Sequence, residues 1–450
     1  MSETLGPRPP GPDGLPILGN TVAYARDPFG FTTRAAEEHG DVVYIETAGR
    51  PFYQLTHPDD IEYVLVHNNG NYVKGALFQR LLGPVTGRGL LNSEGETWRR
   101  QRHLVQPAFH PDRIARYAGT MTDYAERMLD SWGDGERRDV HEDMMGLTLE
   151  IVADALFGVD IRDEAPSVGR ALDVVMEHSE DVYDLYVPDR VPTPSRWRYR
   201  RAVETLDEVV YDIIDERRSA GGDDVISMLA AAIDERGRGM SDEQLRDEVM
   251  TLLLAGHETT ALALSFTWYL LAQYPSVEGR LVDELDRVLA DGGGIGRARV
   301  PTLADLDDLG YAERVIRESM RLYPPVHGIV REPVEDDEIG GYRVPAGVTV
   351  SMPQWAVHRD PRWYDDPMAF RPERWTPDFE ASLPSYAYFP FGGGPRRCVG
   401  DRFALLEARL VLATVARRYH LELPPSTDLD LLASITTRPK DGVEMVVHER

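Results

Sequence analysis

Phe391-Gly392-Gly393-Gly394-Pro395-Arg396-Arg397-Cys398-Val399-Gly400 is a glycine-rich turn that carries the only cysteine of the chain, and a helix-forming run from Asp401 to Val411 follows it. Glycine lets the backbone take positive φ and pass close to a flat ligand. The cysteine lies just before a helix N-terminus, where the dipole and free N–H groups favour thiolate over thiol. A phosphate cradle does not fit, because the Gly-Lys-Ser/Thr ending is missing. The competing reading is a surface turn beside an inert cysteine, the commoner state of a lone cysteine. One cysteine excludes both an intrachain disulfide and a cysteine-cluster metal site.

A second unusual segment is Ala255-Gly256-His257-Glu258-Thr259-Thr260. It falls midway along a helix that starts at the capping-box pattern Ser241-Asp242-Glu243-Gln244 and runs to Tyr274, where Pro275 stops it. Such a helix is roughly 50 Å long, and its second half is apolar nearly all round, which predicts burial. An acid and a hydroxyl there need partners. Two explanations stand open: a threonine bonded to its own backbone that bends the helix, or a proton relay. A zinc-protease helix is excluded, since Ala261 stands where the second histidine would be.

Two further pairs read as ordinary in isolation. Glu318 and Arg321, at i,i+3 on a helix over Tyr311 to Leu322 that Pro324-Pro325 ends, make a surface ion pair of little worth. Trp98 and Arg102, one helical turn apart, make a packed indole under an arginine. Elsewhere the prolines from Pro7 to Pro16 give a stiff extended lead-in. Val42–Ile45 and Phe52–Leu55 form a hairpin around Gly49-Arg50-Pro51. Helical patterns dominate from Gly95 to Val330, broken at Pro192-Thr193-Pro194, Gly221-Gly222 and Gly292-Gly293-Gly294, the last a surface loop over Asp291 to Gly296. Strand character returns at Ile339 to Pro353, with turns at Gly340-Gly341 and Pro345-Ala346-Gly347, and again from Leu421.

The cysteine segment resembles the haem-binding signature F-x-x-G-x-R-x-C-x-G of cytochromes P-450, matched at Phe391, Gly394, Arg396, Cys398 and Gly400. Ala255 to Thr260 is similar to the family's A-G-x-[DE]-T-[TS] oxygen-activation motif without departure. Glu318 and Arg321 resemble its E-x-x-R, with Arg374 of Pro372-Glu373-Arg374-Trp375 as partner; Trp375 replaces the usual phenylalanine. Trp98 and Arg102 match W-x-x-x-R. The resemblance spans nearly the whole chain, with the motifs in the family's order. It implies a mainly α triangular-prism fold with small β-sheets. A single haem-binding catalytic domain would cover 1–450, of which 1–20 are the lead-in. Cys398 would be the axial ligand of haem b, since a haem-bound thiolate favours O–O cleavage. Thr259 would hydrogen-bond the oxygen and Glu258 would help deliver protons. Trp98, Arg102, Arg331 and Arg396 would clamp the propionates, with Ala255, Phe391 and Gly400 also against the cofactor. Glu318, Arg321 and Arg374 would be structural.

The implied reaction is insertion of one atom of O2 into a hydrophobic substrate. With no flavin or nicotinamide module in view, electrons are expected from a ferredoxin or flavodoxin, for which Arg99, Arg100, Arg396, Arg397 and Arg402 form a basic patch. Peroxygenases and isomerases of the superfamily are the rivals, disfavoured by the intact Glu258–Thr259 pair; a haem sensor is another. The expected pocket walls are Phe78, Leu81, Leu82, Val85, Leu254, Val326, Ile329 and Ile435, all apolar, with core packing as the alternative for each. They suit a long lipid, either a fatty acid or an isoprenoid. The Ala255 segment resembles bacterial fatty-acid hydroxylases. Phe78-Gln79-Arg80 and Phe403-Ala404-Leu405-Leu406-Glu407 are closer to carotenoid hydroxylases.

The start of the chain has no signal-peptide pattern, and the longest mostly apolar run, Ala261 to Ala272, is too short to span a bilayer. A cytoplasmic protein without a membrane anchor is therefore expected. A formal charge of −27 excludes the basic footprint that nucleic acid requires. Only Lys74 and Lys440 are lysine; the remaining basic residues are arginine. Acid excess with scarce lysine suggests a halophile, whereas a GC-rich genome explains only the lysine. If the charge is a salt adaptation, thermal stability will rise from low to molar KCl as self-repulsion is screened. A melting temperature flat over that range leaves the genomic explanation.

Overall fold

The computed structural model describes residues 7–180, 193–233, 237, 239–290, 299–425 and 427–450. The expected surface loop at Asp291 to Gly296, Pro192 of the second proline break and the first six residues of the lead-in lie outside them. The chain forms two compact units: Met1–Arg80 with Met320–Phe370 and Arg374–Cys398, and Leu81–Ser319 with Arg371–Glu373 and Val399–Arg450.

The first unit is built on a five-stranded sheet of order β1-β2-β8-β5-β3: β1 (Val42–Thr47), β2 (Arg50–Leu55), β3 (Tyr72–Val73), β5 (Ile329–Pro333) and β8 (Thr349–Met352). The expected hairpin is present, with its turn one residue earlier than the sequence suggested. Ala48 and Gly49 both take positive φ, the two-residue loop that matches strand twist, and Arg50 and Pro51 open β2. The second hairpin, β6 (Asp337–Ile339) and β7 (Tyr342–Val344), turns at Gly340-Gly341 as expected. Leu55, Ile61, Val64, Val350, Met352 and Phe389 form the core under the sheet. The proline lead-in is laid along this unit by Tyr44 N–H donating to Pro10 O at 2.8 Å. Two helices, Thr21–Arg26 and Pro28–His39, had no counterpart in the sequence reading.

The second unit is mainly helical. Its central element is the helix Asp242–Gln273, capped as anticipated by the Ser241–Gln244 box. It is the one described helix long and apolar enough to cross a membrane, yet 83% of its most apolar window is buried, which marks a core helix. It packs along Val140–Phe157, and the C-terminal helix Asp401–Ala416 packs against Ala118–Leu129. A three-stranded sheet, β4 (Glu136–Asp139), β12 (Glu444–Glu449) and β9 (Tyr419–Glu422), brings the tail back to the helices. The β4 sequence Glu-Arg-Arg-Asp carries no strand signal; pairing with β12 makes it one. A last hairpin joins β10 (Leu431–Ala433) to β11 (Thr437–Pro439).

The first turns of the central helix hold the stretch after Leu82. Asp247 accepts from Arg88 N–H (2.7 Å), Glu248 from Leu90 N–H (2.9 Å), and Arg246 donates to Val85 O (2.6 Å). Glu248 is fully buried, and its Oε1 has no hydrogen-bond partner. Burial therefore pushes its carboxyl up to about 7, with Asp247 adding to the effect. The folded state thus holds a proton that the unfolded chain releases near pH 4.5. Stability from this group is full below that pH and is lost as pH rises toward 7 and beyond, by on the order of 3 kcal/mol. Glu248→Gln keeps the acceptor for Leu90 and cannot ionise. Its denaturation midpoint will therefore gain on the native protein between pH 5 and pH 8; an unchanged gap refutes the assignment.

Candidate functional site

The first unit contributes the cysteine loop. Cys398 N–H donates to Phe391 O at 3.0 Å and closes it. Gly394 takes φ +61°, and a Cβ there would lie 1.9 Å from Leu65 O, so only glycine allows this approach. Tyr386 braces the turn, its hydroxyl accepting from Gly394 N–H at 3.2 Å. Cys398 is exposed, and Gly400 is the N-cap of the helix beginning at Asp401. The thiol therefore precedes a helix N-terminus, as the sequence required. Phe391 and Arg396 on the same loop are half-buried. On β5, Arg331 is half-buried and donates to Val330 O at 2.8 Å.

Behind the loop, Arg321 is completely buried, which overturns a surface ion pair. Its guanidinium donates to His358 O (2.8 Å), Pro367 O (2.7 Å) and Ala369 O (3.2 Å). Arg374 donates to Asp365 O (2.9 Å), Asp366 O (3.2 Å) and Ala369 O (3.4 Å). Two forked cations thus pin the backbone from 358 to 369 that precedes the cysteine loop. Trp375, buried, packs its ring 4.7 Å from Tyr388 and fills the place of the usual phenylalanine. Glu318, in the second unit and equally buried, accepts from Arg371 N–H at 3.0 Å.

The second unit contributes the acid–threonine segment. Most of this stretch of helix is buried, but Ala255 is exposed and Thr259 half-buried, so one stripe opens on an otherwise packed element. Gly256 lets the helix run close to its neighbour; a Cβ there would sit 3.1 Å from Val152. Thr259 donates its hydroxyl proton to Ala255 O at 2.9 Å, the first of the two alternatives the sequence left open. Its oxygen remains able to accept, so a relay is not thereby removed. His257 is buried, donates Nδ1–H to Leu253 O at 2.9 Å, and is held neutral by burial, down to about 4.

Glu258 is 2% exposed and has partners that sequence reasoning missed. Thr436 donates to its Oε1 at 2.9 Å, and Arg438 Nε lies 3.1 Å from the same oxygen. Arg438 also reaches Asp173 at 2.7 Å. These groups come from distant segments, and the only local signal was an arginine among the apolar and threonine residues of the tail.

Trp98 and Arg102 lie on the helix Gly95–Val105, both half-buried. Of the expected pocket walls in this unit, Leu82, Val85 and Leu254 are buried, while Leu81 and Ile435 are half-buried. In the first unit Phe78, Val326 and Ile329 are half-buried. Arg100, counted in the basic patch, instead donates to Gly239 O at 2.7 Å; Arg99, Arg397 and Arg402 are exposed.

The donor set suits a haem. No cluster of three or more His, Cys, Asp or Glu among the described residues could hold a bare metal ion. A lone exposed thiolate instead fits a metal whose remaining ligands come from a macrocycle. The glycine loop around Cys398 is poor in side chains, which suits close approach of a flat group.

A family model described as Cytochrome P450 matches residues 9–443. Cyclooctatin synthase of Streptomyces melanosporofaciens is 37% identical over 93% of this chain and 91% of that protein. Cyclooctat-9-en-7-ol 5-monooxygenase of the same organism is 36% identical over 93% and 90%. Among solved structures, retinoic-acid-bound cyanobacterial CYP120A1 superimposes with a TM-score of 0.87 at 27% identity, covering 100% of both chains.

Proposed function

This chain belongs to the cytochrome P450 family, and on that premise we propose that Cys398 is the axial thiolate of its haem and that its substrate is an isoprenoid. It is a haem-thiolate monooxygenase with the mainly α P450 fold, using haem b and O2 and drawing electrons from a redox partner. The bound haem supplies activation of O2, one atom of which enters the substrate while the other leaves as water. The chain's own residues do the rest. Cys398, placed before a helix N-terminus on a closed loop, presents a thiolate in one orientation. Arg102, Arg331 and Arg396 are the cations for the propionates, and Trp98 offers an indole N–H to them. Thr259 offers an acceptor oxygen at the open stripe and can orient a water or hydroxyl there. Glu258, behind it, takes up a proton and passes it on.

The exposed cysteine before a helix start is the observation that carries the ligand assignment. Cys398→Ser will abolish the red-shifted carbon monoxide band of the reduced protein, because a serine oxygen cannot supply the same electron push. Retention of that band refutes Cys398 as ligand.

For the substrate, the apolar character of the expected walls and the terpenoid oxidations named by the two Streptomyces relatives point the same way. The retinoic acid in the cyanobacterial structure adds a ligand with an isoprenoid skeleton. We place the enzyme in the cytoplasm as one catalytic domain, served by an acidic ferredoxin or flavodoxin that meets Arg99, Arg397 and Arg402. Titration with cyclic terpene hydrocarbons and alcohols will shift the haem spin state. A shift with fatty acids alone, or only with small polar compounds, overturns the isoprenoid assignment.

A further inference from the structure

The acid of the oxygen motif is not left to water. Glu258 is buried, and a hairpin and the neighbouring helices of the second unit bring polar and titratable groups around its partner Arg438. From β11 comes Arg438, whose side chain is 10% exposed, and just before it Thr436, 4% exposed. Both address Oε1 of Glu258, at 3.1 and 2.9 Å. From the helix Ala165–Glu180 comes Asp173, 2.7 Å from the other end of the guanidinium and 48% exposed. The helix Val140–Phe157 brings His141, with Asp139 at its cap, and the central helix brings His257. Burial, with Arg438 adding to it, holds both imidazoles down to about 4. Near neutral pH both are uncharged. Among these described groups Arg438 is then the cation between two carboxylates, one buried and one at the surface.

We infer that Arg438 is the positioning residue that governs proton supply through Glu258, with Asp173 as the solvent-facing end of the same polar chain. The inference rests on the monooxygenase reading and deepens it. A guanidinium does not release its proton at working pH, so Arg438 carries none itself. It keeps a buried carboxylate ionised and aimed, ready to take a proton from water and pass it on. Thr436 fixes the same oxygen from a second direction. Without the guanidinium, burial favours the neutral acid, which already holds its proton and has no reason to face the reaction.

Arg438→Leu tests this. It will show the carbonyl stretch of a protonated carboxylic acid in infrared difference spectra at neutral pH, a band absent from Arg438→Leu/Glu258→Gln. Product formed per electron pair will fall by about tenfold, the solvent isotope effect on turnover will rise, and the pH limb of turnover will move upward. Arg438→Lys, which restores the charge, will recover most of each. If Arg438→Leu does not fold, Thr436→Val decides, with a smaller change in the same directions. An unaltered infrared spectrum, pH profile and isotope effect in these variants overturns the inference. The carbon monoxide band separates the two readings: its absence from the native protein condemns the haem-thiolate assignment, while its presence in an unaffected variant condemns only the role of Arg438.

Discussion

A buried helix leaves no water for its polar side chains, and the central helix Asp242–Gln273 is buried along most of its length. A polar group on it is costly unless another segment or its own backbone meets it. Near its start Asp247 and Glu248 are met by backbone N–H groups of Arg88 and Leu90, which fixes the path of the chain after Leu82. In its middle Glu258 is met by the last hairpin. Further on, Ser265 and Thr267 turn back onto carbonyls of their own helix. The sheet of β4, β12 and β9 brings the tail back among these helices, and the β10–β11 hairpin makes the polar contacts with the helix.

The same rule shapes the first unit with the signs reversed. There, buried guanidinium groups satisfy backbone carbonyls. A loop segment from 358 to 369 has no regular ladder to absorb its C=O groups, and Arg321 and Arg374 do so with forked geometry that an ammonium could not match. His358 completes the brace by accepting from Phe389 N–H at 3.0 Å, its charge suppressed by burial. Arginine contacts thus hold the segment that precedes the cysteine loop, while glycines permit the loop's own shape.

Much of this was legible in the chain itself. The capping box at Ser241, the proline stop after Tyr274 and the Gly340-Gly341 turn are local signals, and all appear where expected. The cysteine loop and the acid–threonine helix were legible because their chemistry is written in consecutive residues. What escaped was non-local. Strand β4 is charged throughout and exists only through β12. Arg438 and Asp173 are ordinary residues until the fold sets them against Glu258. Burial was likewise unreadable for Glu318 and Arg321, whose spacing alone suits a surface pair. The β1–β2 turn moved because Ala48 accepts a left-handed conformation that composition would have given to a glycine.

The contact between Glu258 and Arg438 has a hereditary consequence. The two residues lie 180 positions apart, yet the fold sets one against the other. Chimaeras that join the central helix of one relative to the tail of another would part them at a single crossover. Family members that exchange the acid for another residue should change the tail in step. The last strands of the chain are then part of the reaction's inheritance, and their drift is tied to a helix far upstream.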